Sequence, residues 1–65
     1  MNKDLTYGLI RLEELRKDLR KDRESLAVAG TIDQEYYKAR IKAIVERIVN
    51  LCDCYGIVKQ DWHYV

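Results

Sequence analysis

The chain has no proline and no phenylalanine, and its 65 residues include only three glycines, two cysteines, one histidine and one tryptophan. Each scarcity removes a class of protein. With no proline, and no low-complexity stretch apart from the charged run from Arg16 to Glu24, there is no flexible linker and the chain reads as one domain. The two cysteines, Cys52 and Cys54, stand two apart, where a disulfide closes a tiny strained loop and constrains almost nothing, so a disulfide scaffold is excluded. No run of 18 apolar residues exists to span a membrane. The amino-terminal stretch Met1-Asn2-Lys3-Asp4-Leu5 has no apolar core behind a basic stretch, so it does not read as a secretory signal and a cytosolic location is expected. Charge of either sign is also nearly balanced, with 12 Lys and Arg against 11 Asp and Glu for a net +1, which argues against a generic salt-driven grip on nucleic acid.

What the chain has is two apolar ladders. Leu5, Leu12, Leu19 and Leu26 are spaced seven apart, widened by Leu9 and Leu15, and Tyr37, Ile41, Ile44, Ile48, Leu51 and Tyr55 follow after one break. Both repeat at about 3.5 residues, the period that keeps a seam facing a partner helix. The expectation is an all-α, antiparallel two-helix hairpin: a helix over about 4–28, a turn over 29–32, a second helix over about 33–55, and an aromatic tail over 56–65. Asn2 or Asp4 supplies the first cap, and Gly56 closes the second helix. At the turn, Gly30 is expected in the left-handed conformation and Thr31-Ile32-Asp33-Gln34 as a capping box. Gly8 is a weak spot, read as fraying of the first turn or a close approach by another backbone.

A hairpin this short leaves half of each helix uncovered, and a domain of this size buries only about 60% of the surface of its unfolded chain. A second copy is the expected remedy. Val45, Val49 and Cys52 lie beside the main seam of the second helix, and with Ile10, Ile44 and Ile48 they form the expected self-association face, which would complete a homodimeric four-helix bundle.

The stretch around the turn, Leu26-Ala27-Val28-Ala29-Gly30-Thr31-Ile32-Asp33-Gln34-Glu35-Tyr36-Tyr37-Lys38-Ala39-Arg40, resembles the short carboxy-terminal helical module known as SHOCT. Its signature runs leucine, glycine, isoleucine, a capping residue, glutamates, an aromatic and basic residues. The resemblance covers about a quarter of the chain. It implies a short helical oligomerisation element and nothing chemical.

Motifs that carry chemistry are thin. Cys52, Cys54 and His63, with Asp53 or Asp61, have the ligand types of a zinc site, but side chains two apart on a helix point about 200° from each other and cannot share one ion. No metal, other cofactor or catalytic residue is therefore expected. His63 is the only candidate base, and none of Thr6, Ser25, Thr31 or the cysteines sits in the glycine-flanked turn that hydrolases use for a nucleophile. In the charged run, acids alternate with bases at helix-pairing distances, so it reads as a solvated face. A sharper alternative gathers Arg16, Arg20, Arg40 and Arg47 across a dimer into a pocket for a phosphate, nucleotide or nucleic acid, gripped through fork-shaped guanidinium contacts.

The tail places the lone tryptophan and a tyrosine within its last four residues, where they either fold back on the helices or anchor a partner. Antiparallel helices bring Tyr7 near Tyr55 and the tail. Tyr7, Tyr55, Trp62 and Tyr64 are thus the expected protein-binding residues. The functional expectation is a non-enzymatic module of the kind found among bacterial or phage regulators and inhibitors, which binds and occludes a protein partner. A nucleotide or nucleic-acid sequesterer and a purely structural oligomeriser are the alternatives.

Overall fold

The computed structural model describes residues 4–64. Helix α1 runs Leu5–Val28 and helix α2 runs Thr31–Tyr55; they pack antiparallel, and a 3-10 turn, Asp61–Tyr64, ends the described chain. No strand occurs among the described residues.

Asp4 starts α1, its Oδ1 accepting the Thr6 amide at 2.9 Å. Asn2, the other expected cap, and Val65, in the expected tail, lie outside the described residues. The turn differs from its expected form. Gly30 is extended (φ −72°, ψ 171°), not left-handed, and Thr31 is the first residue of α2 and not its cap. The chain reverses because two consecutive residues, Ala29 (ψ 146°) and Gly30, leave the helical region while keeping negative φ. The Gln34 amide then donates to the Gly30 carbonyl at 2.9 Å, which opens α2 two residues early. Gln34 does reach back, but as a donor: Nε2 points at the Ala29 carbonyl, 3.4 Å away. At the other end Gly56 takes the expected left-handed form (φ 70°, ψ 24°), and the Ile57 amide closes on the Cys52 carbonyl at 2.8 Å.

Two connecting residues leave the helices nothing to do but lie side by side. Leu12, Leu15 and Leu19 meet Ile44, Ile48 and Cys52, and this seam is the entire fully buried apolar core of the described residues. The molecule is accordingly a rod of 46 × 17 × 14 Å, one hairpin thick along most of its length. Leu5 and Leu9, counted with the seam from their spacing, are instead about half exposed. Two things explain it: Gly8 meets Tyr55, the last residue of α2, so Leu5 in the first turn of α1 extends past the end of its partner, while Leu9 lies about 60° around the helix from Leu12 and so to one side of the seam.

Gly8 does not mark fraying. It is buried, and a Cβ placed there falls 2.7 Å from Tyr55 Cγ and 2.9 Å from Cδ1, at the root of the ring, where it has little freedom to swing away. The close approach is by a side chain, not by a backbone.

Two stability measurements check this reading. Leu19→Ala, at a site with no exposure, should cost about 2–5 kcal/mol by chemical denaturation, a large part of what a domain of this size possesses. Gly8→Ala should lower Tm although alanine is the better helix former by about 1 kcal/mol. In a Tyr55→Ala background the same change should raise Tm instead.

Candidate interaction surface

The tail folds back. Gly56 turns the chain out of α2, the Lys59 ammonium bonds Asp53 at 2.6 Å, and the 3-10 turn then lies across both helices. The Asp53 carboxylate holds Lys59 above its ordinary range. His63 is the deepest tail residue, 1% exposed, with its Nδ1 accepting the Gln60 amide at 3.1 Å and lying 4.0 Å from Cys52 Sγ. Burial lowers the His63 pKa, with Arg16 adding to the effect, and burial pushes the Cys52 thiol up, so this is a pair of neutral groups. Trp62 lies over the Arg16 guanidinium, 4.7 Å from the ring centre, and packs edge-on to His63 at 4.0 Å. Arg16 also bonds Glu13 at 3.1 Å, which leaves its Nε buried without a partner.

The expected aromatic cluster is consequently divided. Tyr7 and Tyr55 do meet, with ring centres 6.2 Å apart, at the open end of the hairpin. Trp62 has climbed to the level of Arg16, about two and a half helical turns along α1 from Tyr7. Of the four expected binding aromatics, Tyr7 and Trp62 are exposed, whereas Tyr55 and Tyr64 are half-buried within the chain.

The opposite flank of the seam is bare. Arg11 stands about 140° around α1 from Arg16. With Leu15, Arg47, Asn50, Leu51 and Cys54 it lines an open groove of about 300 Å³. A smaller hollow lined by Arg40, Ala43, Ile44 and Arg47 adjoins it. Beside that hollow, Arg40 Nε bonds the buried Asp22 at 3.0 Å and its Nη1 reaches the Tyr36 hydroxyl at 3.4 Å. The bond to Asp22 raises the Arg40 pKa. Asp22 was visible as a carboxylate at a seam position, three residues past Leu19 and four before Leu26, and sequence reasoning passed over it.

The four arginines expected to gather around an anion do not converge within one chain. Arg16 is held under Trp62, Arg40 is held by Asp22, Arg47 faces the bare flank, and Arg20 is exposed. Their spacing ignored which flank the tail would occupy. The zinc ligand types also separate: Cys52 and His63 are neighbours, Cys54 is exposed, and no group of three or more His, Cys, Asp or Glu among the described residues is placed to hold a metal. No described helix is long and apolar enough to cross a membrane.

Three of the six expected self-association residues, Ile44, Ile48 and Cys52, are spent on the hairpin's own core. Val45 and Val49 are half-buried, and only Ile10 stands well out. The exposed apolar surface lies elsewhere. Leu5, Tyr7, Leu9 and Ile10 are 49–58% exposed around the first turns of α1, and Val28 and Ile32 stand out at the connection.

No family model matches the chain, and comparison with curated proteins and with solved structures finds no match.

The Asp22–Arg40 pair joins the two helices, so Arg40→Met should lower Tm by leaving a buried carboxylate without its cation, while Arg20→Met should leave Tm unchanged.

Proposed function

We propose that this chain is a small, non-enzymatic interaction module, a regulator or inhibitor of the bacterial or phage kind, that acts by covering a surface of a partner protein. The observation that carries the reading is the start of α1, where Leu5, Tyr7, Leu9 and Ile10 all stand about half exposed. Residues 5 and 9 share one side of the helix and residues 7 and 10 the other, so no single rotation of α1 against α2 would bury the set. Isolated apolar side chains on a surface are ordinary; several large ones around one helix end mark a place where another chain binds. Trp62, exposed and fixed over Arg16, adds an aromatic anchor that loses little conformational freedom on binding.

Self-association belongs to the same reading. The narrow seam leaves the flank lined by Arg11, Arg47 and Leu51 open, and Ile10 stands exposed about 100° further around α1 from Arg11. A second hairpin laid there would complete a four-helix bundle with Ile10 at the contact and Val45 and Val49 as half-buried support. The SHOCT-like string at residues 26–40 favours an oligomerising role as well.

A double variant, Leu9→Glu with Ile10→Glu, tests the reading, because both residues are exposed and neither belongs to the core. It should keep its far-UV circular dichroism and Tm, while sedimentation velocity and partner capture both show loss of assembly by more than about tenfold in dissociation constant, given about 1.5–3 kcal/mol for each large apolar side chain buried. A variant that assembles and captures as the wild type does would remove this surface from the function. A wild-type chain that is strictly monomeric would remove the four-helix bundle and leave the end of α1 for a different protein alone.

A further inference from the structure

The tail is fastened by an imidazole that must remain neutral. Among the described tail residues only His63 is fully buried, and its Nδ1 accepts the Gln60 amide at 3.1 Å. A ring nitrogen that accepts an N–H carries no proton, so the closed tail requires the tautomer protonated on Nε2. The groups that surround the ring offer nothing to stabilise a cation. From α1 comes Arg16, positively charged, with its own carboxylate partner Glu13 exposed and bonded to the guanidinium. From α2 comes the Cys52 thiol, buried, followed by Asp53, which is exposed and committed to Lys59. From the tail itself come Asp61, exposed, and Tyr64, half-buried with its ring centre 6.3 Å from that of the imidazole. Among the described residues no carboxylate bonds the ring.

The geometry points to an acid-released latch: protonation of His63 frees the 3-10 turn from the side of the hairpin, uncovering Cys52 and releasing Trp62 from Arg16, while α1 and α2 stay paired. Protonated Nδ1 is a donor facing the Gln60 donor, so one bond becomes a repulsion, and a second positive charge is placed beside Arg16 in a site that water does not reach. The seam beneath is made by Leu12, Leu15, Leu19, Ile44 and Ile48, which do not titrate, and by Cys52, whose thiol burial pushes up, so it stays neutral as the pH falls. Burial and Arg16 together hold the folded His63 below its ordinary value of 6.5, so the closed tail binds fewer protons than the released one. Closure is therefore complete above about pH 6.5 and weakens as the pH falls toward the folded-state pKa, by about tenfold in the opening constant per pH unit within that window. This device is independent of the binding surface at the start of α1.

Cys52 reports the latch directly, because it has no exposure when the tail is closed. In a full-length Cys54→Ser variant it is the sole thiol, and its rate with 4,4′-dithiodipyridine, divided by the rate of the same chain in denaturing urea at each pH, gives its protection free of intrinsic thiol chemistry. Protection should be constant above about pH 6.5 and fall about tenfold per unit below it while the helical circular dichroism stays unchanged. Protection that stays flat down to about pH 5, or that is lost together with the helix signal, would overturn the proposal. His63→Phe keeps a ring and loses the proton, and should make protection independent of pH; acid sensitivity that survives this change assigns the effect to another group. Should phenylalanine fail to seat, proton NMR of the wild-type ring decides: a midpoint below 6.5 that coincides with Cys52 exposure supports the latch, and one at or above 6.5 refutes it.

Discussion

Among the described residues, the seam between α1 and α2 is the one place where apolar side chains are buried from water, and it is narrow: Leu12, Leu15 and Leu19 against Ile44, Ile48 and Cys52. Every other feature is arranged around it. Two connecting residues, Ala29 and Gly30, make the helices neighbours, and Gly8 lets the root of the Tyr55 ring sit against α1 where any larger residue would hold it off. Because a pair of helices has two flanks and no third layer, each flank must be covered by something else or remain wet. The tail takes one flank and leaves the other.

That asymmetry gives the molecule its character. On the covered side, His63 fills the space beside Cys52 and Trp62 closes its flat face over the Arg16 guanidinium. The bare side keeps an open groove between arginines and leucines, and the start of α1 keeps its leucines, tyrosine and isoleucine in water. A core so small stabilises the hairpin weakly, since the burial available to a 65-residue chain hardly exceeds the entropy of ordering it. Exposed apolar surface on such a chain is costly to keep unless association uses it.

Much of the seam was legible from spacing alone. Leu12, Leu19, Ile44 and Ile48 recur at the helical period, and both helices and the cap at Gly56 lie where the pattern puts them. Leu5 fits the same period and is exposed because periodicity does not report how far the partner helix extends, and Leu9 is exposed because it lies at the edge of the stripe, about 60° from Leu12. Thr31 and Gln34 fit a capping box, yet Gly30 stays extended and Thr31 enters the helix, with the Gln34 amide donating to the Gly30 carbonyl and no side chain capping the end. His63 was the least legible of all. A histidine near a chain end looks mobile in a string of letters, and only the path of residues 57–60, drawn in by Lys59 and Asp53, carries it onto Cys52.

By itself the sequence determined the helical class, the two spans and their antiparallel pairing, because those follow from local periodicity, from capping residues and from a connection too short for any other geometry. It determined equally that neither a disulfide scaffold nor a membrane span was to hand. Only the tertiary structure decided which flank the tail covers, that Arg16 and Arg40 are held apart by Trp62 and Asp22, that Ile44, Ile48 and Cys52 belong inside, and that Leu5, Tyr7, Leu9 and Ile10 stay exposed at the start of α1. The physical reason is that these outcomes depend on contacts between residues far apart in the chain, Arg16 against Trp62 being the case in point, and no local pattern encodes which of two equivalent flanks a returning segment will choose.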